Sequence, residues 1–269
     1  MNPIMNPIEK YNQRARKTDS LLCIGLDVDF AKIPSKFKQM NFPQFEFNKW
    51  IIQETYEYVA AFKVNSAFYE ARGDAGIKEL KMTIDYINQN HSDIFTILDA
   101  KRADVENTNY GYVAAIFDWL GFDAVTLNPY LGEEALRPFL DRSDKVSIIL
   151  CRTSNSGAGE FQDLEIGDKS LWQIVAENVS RKWNYNNNCM LVIGAIYPKE
   201  LKKIRTIEPK MTFLVPGIGV QGGNVEEVIK AGLNKAGLGL IINSSRDIIF
   251  TDNPKEGARK LRDEISKYI

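Results

Sequence analysis

The stretch ILDAKRAD (97–104) sets two carboxylates and an ammonium close together behind an apolar run. Side chains alternate along a strand, so Asp99 and Lys101 are expected on one side, together with Ile97. Asp104 follows three residues later, at the expected start of a helix. A lone ion near a protein interior loses much of its hydration, and alternating signs offset that cost. Lys63, ending another apolar run, extends the array to Lys–Asp–Lys–Asp. Such a set of charges at one place could carry chemistry. It can equally be a salt-bridge network with no chemistry.

A second element suits an anion. LVPGIGVQGGN (214–224) carries four glycines, which allow backbone N–H groups to converge, and Asn224 can start the following helix. INSSRD then brings Arg246, whose guanidinium can grip a phosphate with two hydrogen bonds. Smaller candidates are Asp27, a turn residue or an acceptor for a sugar hydroxyl, and Ser154, at the base of a long Gly/Ser-rich loop. Thr108 lies four residues beyond Asp104 on the same expected helix face. The aromatic stretch FPQFEFNKW (42–50) has the spacing of helix packing rather than of a base-stacking platform.

Eight short apolar runs must position these residues: 21–27, 59–65, 94–100, 124–128, 146–151, 190–195, 212–216 and 238–243. Continuous apolar runs of this length fit strands buried on both faces. Between them lie helical patterns at 47–58, 76–90, 103–119, 132–140, 170–183, 199–204 and 224–231, and a last one at 254–268. The alternation predicts an α/β chain with a parallel sheet, and the length favours a closed (β/α)8 TIM barrel. A single domain over 1–269 is expected, with an N-terminal helical extension over about 1–20. In such a barrel the site forms at the carboxyl ends of the strands. Asp27, Lys63, Asp99, Lys101, Ser154, Pro216 and Arg246 all fall there. The segment 153–169 reads as a lid or a disordered excursion, and NYNNN (184–188) as a solvated turn.

Composition narrows the function. With 34 Lys+Arg against 35 Asp+Glu the net charge is −1, so no global basic field invites nucleic acid or an anionic membrane. No membrane partner is expected, because no run approaches the roughly 20 apolar residues of a spanning helix. The N-terminal stretch has no apolar signal-peptide core, so a cytoplasmic protein is expected. Three scattered cysteines make neither a disulfide framework nor a zinc cluster, and Cys23 and Cys151 read as buried thiols. The one histidine, His91, reads as a surface residue, and no multi-histidine metal site can be built. No metal and no cofactor are expected.

Taken in order, GLD at Asp27, FKVN at Lys63, LDAKRAD at Asp99, Lys101 and Asp104, RTSNSGA at Ser154, PGIGVQGG and SSR resemble the orotidine 5′-phosphate decarboxylase family, in its longer bacterial form, over nearly the whole chain. The resemblance implies cofactor-independent decarboxylation of orotidine 5′-monophosphate to uridine 5′-monophosphate. It implies Lys101 as proton donor, Asp99 and a partner subunit's Asp104 flanking the scissile carboxylate, and Lys63 linked to Asp99 and the ribose. It also implies Asp27 and Thr108 at ribose hydroxyls, Ser154 at the pyrimidine edge, and Pro216, Gln221 and Arg246 around the phosphate. A homodimer with shared sites follows from the same resemblance. One departure is Ser245, where the family commonly has glycine before the arginine. A hexulose-phosphate synthase-like aldolase on the same barrel is the nearest rival, and a non-catalytic phosphate-ligand sensor a more distant one.

Overall fold

The computed structural model describes residues 7–219 and 222–269. Eight parallel strands close into a barrel in chain order: β1 Leu22–Gly25, β2 Ala61–Asn65, β3 Phe95–Arg102, β4 Ala124–Leu127, β5 Val146–Arg152, β6 Cys189–Ile193, β7 Phe213–Pro216 and β8 Leu240–Ser244, which pairs with β1. The expected α/β barrel is thus observed. Apart from the carboxyl-terminal half of β3, its strands are almost wholly buried because helices cover the outside while side chains fill the inside.

Helix α1 (Pro7–Thr18) packs across the amino-terminal end of the barrel. There the Tyr11 hydroxyl donates to the Leu240 carbonyl, and Arg14 Nε donates to the Val59 carbonyl at 3.1 Å. The covering helices are α2 Pro43–Thr55, α3 Gly73–Asn90, α4 Glu106–Val113, α5 Gly132–Leu140, α6 Leu171–Asn178, α7 Pro198–Ile207, α8 Val225–Gly232 and α9 Pro254–Ser266. Wider turns extend α4 to Leu120 and α6 to Trp183, close to the expected ends. Start signals are local. Proline opens α2, α7 and α9, whose first turns need no N–H there. Asn224 accepts from Glu227 N–H at the head of α8, as expected. The head of α2 is capped from outside: Glu79 Oε2 accepts from the Gln44 and Phe45 N–H groups at 2.6 and 2.9 Å. The Phe42–Trp50 aromatics do pack a helix, with Phe37, Phe47 and Trp50 in mutual ring contact.

Two expectations need correction. Residues 153–169 are not a disordered excursion: they form two short helical turns, Ser156–Ala158 and Gly159–Gln162, and the first strand of a small hairpin, Glu165–Ile166 with Lys169–Ser170. Nor is 184–188 merely a solvated turn. Asn188 is buried, and its Nδ2 donates to the Leu140, Arg142 and Lys145 carbonyls, tying the start of β6 to the turn before β5.

Candidate active site

The carboxyl ends of the strands surround one cavity of about 280 Å³. Asp27, Lys63, Asp99, Lys101, Ser154, Pro216 and Arg246 all line it. Seven residues singled out from sequence therefore meet in space, from six of the eight strands or the loops after them.

One wall is charged. Lys63, buried on β2, reaches Asp27 Oδ1 at 3.3 Å and Asp99 Oδ2 at 3.2 Å. The other Asp99 oxygen accepts from Lys101 Nζ at 2.7 Å. Within one chain the array thus runs Asp27–Lys63–Asp99–Lys101, not Lys63–Asp99–Lys101–Asp104. Burial pushes the Lys63 pKa down, but the Asp27 and Asp99 carboxylates outweigh it and hold its pKa above the ordinary lysine value. Burial would likewise raise Asp99, and is overcome by Lys63 and Lys101, so its carboxyl stays well below the usual range. Lys101 is the half-exposed end of the array, the ammonium open to the cavity.

Asp99 and Lys101 do share a side, but not through simple alternation. Leu98 pairs with Val125 and Arg102 with Leu127, so three residues of β3 stand opposite the single Thr126. Within this bulge Lys101 takes a left-handed backbone, φ +48°.

The facing wall is apolar, built by Leu150, Val192 and Leu214 from β5, β6 and β7. Ser154 stands above it. A Cβ on Gly194, after β6, would lie 2.9 Å from Ser154 Cβ, so glycine there makes room for the loop that carries the serine. Arg152 anchors that loop through Asp163 at 2.9 Å and stacks on the Tyr197 ring. At the far end, Gly217 and Gly219 both adopt positive φ beside Arg246, which opens a four-residue helix. Gln221 lies outside the described residues.

Asp104 and Thr108 are not brought to this cavity. Asp104 Oδ1 accepts from Val105 N–H at 2.7 Å, and Thr108 is exposed. The buried Asn109 clamps Asp104 from both sides, accepting its N–H at 3.0 Å and donating to its carbonyl at 2.7 Å. Sequence reasoning passed over Asn109, Gly194 and Thr126. Only Thr126 left a trace, as a lone hydroxyl inside the apolar strand AVTL.

The cysteines hold no chemistry for this site. All are buried; burial pushes Cys23 up and takes Cys151 and Cys189 to about 12. His91 sits half-buried after α3, in tilted ring contact with Tyr56, at the amino-terminal side of β3. Among the described residues no group of three or more His, Cys, Asp or Glu is placed to hold a metal ion, and no helix is long and apolar enough to cross a membrane.

Comparison with known proteins gives a consistent result. The family model for the orotidine 5′-phosphate decarboxylase / HUMPS family matches residues 20–261. An orotidine 5′-phosphate decarboxylase from Christiangramia forsetii is 46% identical over 245 residues, covering 91% of this chain and 89% of the relative. One from Flavobacterium johnsoniae is 43% identical over 259 residues, covering 96% and 94%. Among solved structures, the OMP decarboxylase of Leishmania donovani superposes with a TM-score of 0.88 at 36% identity, covering 98% of this chain and 99% of that one.

Proposed function

The chain belongs to the orotidine 5′-phosphate decarboxylase / HUMPS family, and from that premise we propose that it converts orotidine 5′-monophosphate to uridine 5′-monophosphate and CO2, the last step of de novo UMP synthesis. The observation that carries this reading is the Asp27–Lys63–Asp99–Lys101 array, in one cavity with Pro216 and Arg246. An ammonium beside a carboxylate at one end and an arginine at the other suits a substrate with a reacting carboxylate and a remote phosphate.

The bond from C6 to the carboxylate breaks, CO2 leaves, and the electron pair stays on C6. The Lys101 ammonium stabilises that charge as it develops and then gives C6 its proton. Asp99 repels the substrate carboxylate, worth about 4 kcal/mol at ~4 Å and an effective dielectric near 20. Enzymes lower barriers by about 8–23 kcal/mol, so repulsion is the lesser contribution and Lys101 the greater. Asp27, Lys63 and Asp99 keep the lysine charge aimed. Binding of the phosphate by Pro216, Gln221 and Arg246 contributes remote binding energy to the reacting end. No cofactor enters this scheme. The working protein is a cytoplasmic homodimer in which the partner subunit's Asp104 and the partner subunit's Thr108 complete each site.

The test is the absorbance of orotidine 5′-monophosphate mixed with the protein in EDTA. Loss of the orotate band, abolished in Lys101→Ala, is the expected result. A persistent band with folded parent protein overturns the reading, and metal-dependent aldol chemistry on sugar phosphates is then the next assay.

A further inference from the structure

Thr126 is buried in β4, opposite the place where β3 leaves its register. A bulge strips its residues of ladder partners, and the Lys101 N–H would be a bare donor there. It donates instead to Thr126 Oγ1 at 2.9 Å. The Thr126 hydroxyl in turn donates to Asp99 Oδ1, also at 2.9 Å. That same oxygen accepts the Lys101 ammonium at 2.7 Å. Both ends of Lys101 are therefore tied to one carboxylate oxygen, the side chain directly and the backbone through a hydroxyl.

The closed ring is tied to an unusual conformation. A left-handed backbone is uncommon for a residue with a side chain, and persists where its surroundings determine it. At Lys101 the Thr126 hydroxyl is one such determinant, and within the ring it is the group that both accepts and donates. We propose that Thr126 is a positioning residue for the decarboxylation, holding Lys101 and Asp99 in a single rigid ring so that the ammonium is presented at the reacting carbon. This rests on the proposed decarboxylase reading. Thr126 acts through Lys101 and Asp99 and need not itself carry a proton.

The experiment compares Thr126→Val and Thr126→Ser with the parent, measuring kcat, KM for orotidine 5′-monophosphate, Kd for uridine 5′-monophosphate and the thermal midpoint. Valine keeps the volume and removes the hydroxyl; serine keeps the hydroxyl. A misplacement of the order of 1 Å costs about 100-fold in rate, and that loss of kcat is expected for Thr126→Val. KM and Kd should move by no more than about threefold, because the interaction lost serves the transition state. Thr126→Ser should recover most of the rate. A merely structural role would lower the thermal midpoint and leave kcat of the folded fraction intact. If the valine variant does not fold, Thr126→Ala is read by the same criteria. Parent-like kcat without the hydroxyl, or equal losses in the serine and valine variants, overturns the proposal. An inactive parent instead overturns the decarboxylase reading.

Discussion

A Cβ on Gly25 would stand 2.9 Å from Ser245 Cβ, while the Ser245 hydroxyl donates to the Gly25 carbonyl at 2.8 Å. The two residues lie where β8 closes the barrel against β1. Ser245 is thus accommodated by the glycine across from it. Its hydroxyl also occupies the carbonyl that ends β1. The Arg246 end of the cavity consequently abuts the Asp27 turn through this contact.

The contact makes the two positions non-additive. Gly25→Ala should destabilise by about 1–3 kcal/mol through overpacking. Ser245→Gly in the same chain should return part of that loss, since residues in contact couple by about 0.5–3 kcal/mol. Asp27 Oδ2 also lies 2.9 Å from the added Cβ, so the recovery should be incomplete. Urea unfolding of the four proteins measures the coupling. Strictly additive losses would mean that the two side chains do not share this space.

The rate should depend on Lys101 more than on Asp99. Lys101→Ala removes both the developing-charge partner and the proton, and one preorganised donor alone is worth about 100- to 1000-fold. Asp99→Asn removes a repulsion worth roughly three decades at most, while its amide oxygen can still accept from the Lys101 ammonium and the Thr126 hydroxyl. It leaves Lys63 with its Asp27 contact at 3.3 Å. The larger loss in kcat is therefore expected for Lys101→Ala. Single-turnover rates of both variants at saturating substrate provide the comparison. A far larger loss in Asp99→Asn would make ground-state repulsion the leading effect.

Stability should weaken in acid through Asp99. Its folded pKa is depressed because Lys63 and Lys101 outweigh its burial. Below the unfolded value near 3.9 the unfolded chain binds the proton that the folded chain refuses, so stability falls with pH. The contribution is full above about pH 5 and is lost as pH drops toward the folded pKa. Lys63 is shifted the other way, with its pKa raised, so its contribution is full near neutrality and is lost only in strong base. The difference in unfolding free energy between the parent and Asp99→Asn should be flat from about pH 6 to 8, then shift against the parent below about pH 5. An unchanged difference at pH 3 would show that Asp99 is not held ionised by its lysines.

Much of this site could be read from the chain because parallel barrels write their strands as continuous apolar runs. A charged residue ending such a run, as Asp27 and Asp99 do, is already addressed to the mouth of the barrel. Lys63 was legible for the same reason, though its double contact with Asp27 and Asp99 was not. What the chain hid was register. The bulge in β3 depends on how that strand meets β4, and no local pattern in LDAKRAD announces it. Asn109 and Asn188 were hidden for a related reason. Their carboxamides satisfy backbone groups of other segments, so polarity that looked like solvent exposure was buried capping. Asp104 was legible as part of a charged motif, yet in one chain it points to no member of the array.

That last placement leads to an expectation about assembly. Asp104 and Thr108 lie outside the cavity lined by their own chain's Lys101 and Asp99. Asn109 fixes the Asp104 backbone, so a short swing into the cavity would break two hydrogen bonds within the turn. In the proposed homodimer each site takes Lys101 from one subunit and the carboxylate from the partner subunit's Asp104. Asp104→Ala and Lys101→Ala proteins should each be nearly inactive alone. In a heterodimer, one site receives both lesions and the other receives neither. After complete exchange at equal concentrations about half the dimers are mixed, each with one intact site, so about a quarter of the parent activity should return. Native mass spectrometry of the mixture verifies the exchange, and the orotate absorbance reads the activity. Verified heterodimers without activity would mean that each subunit completes its own site.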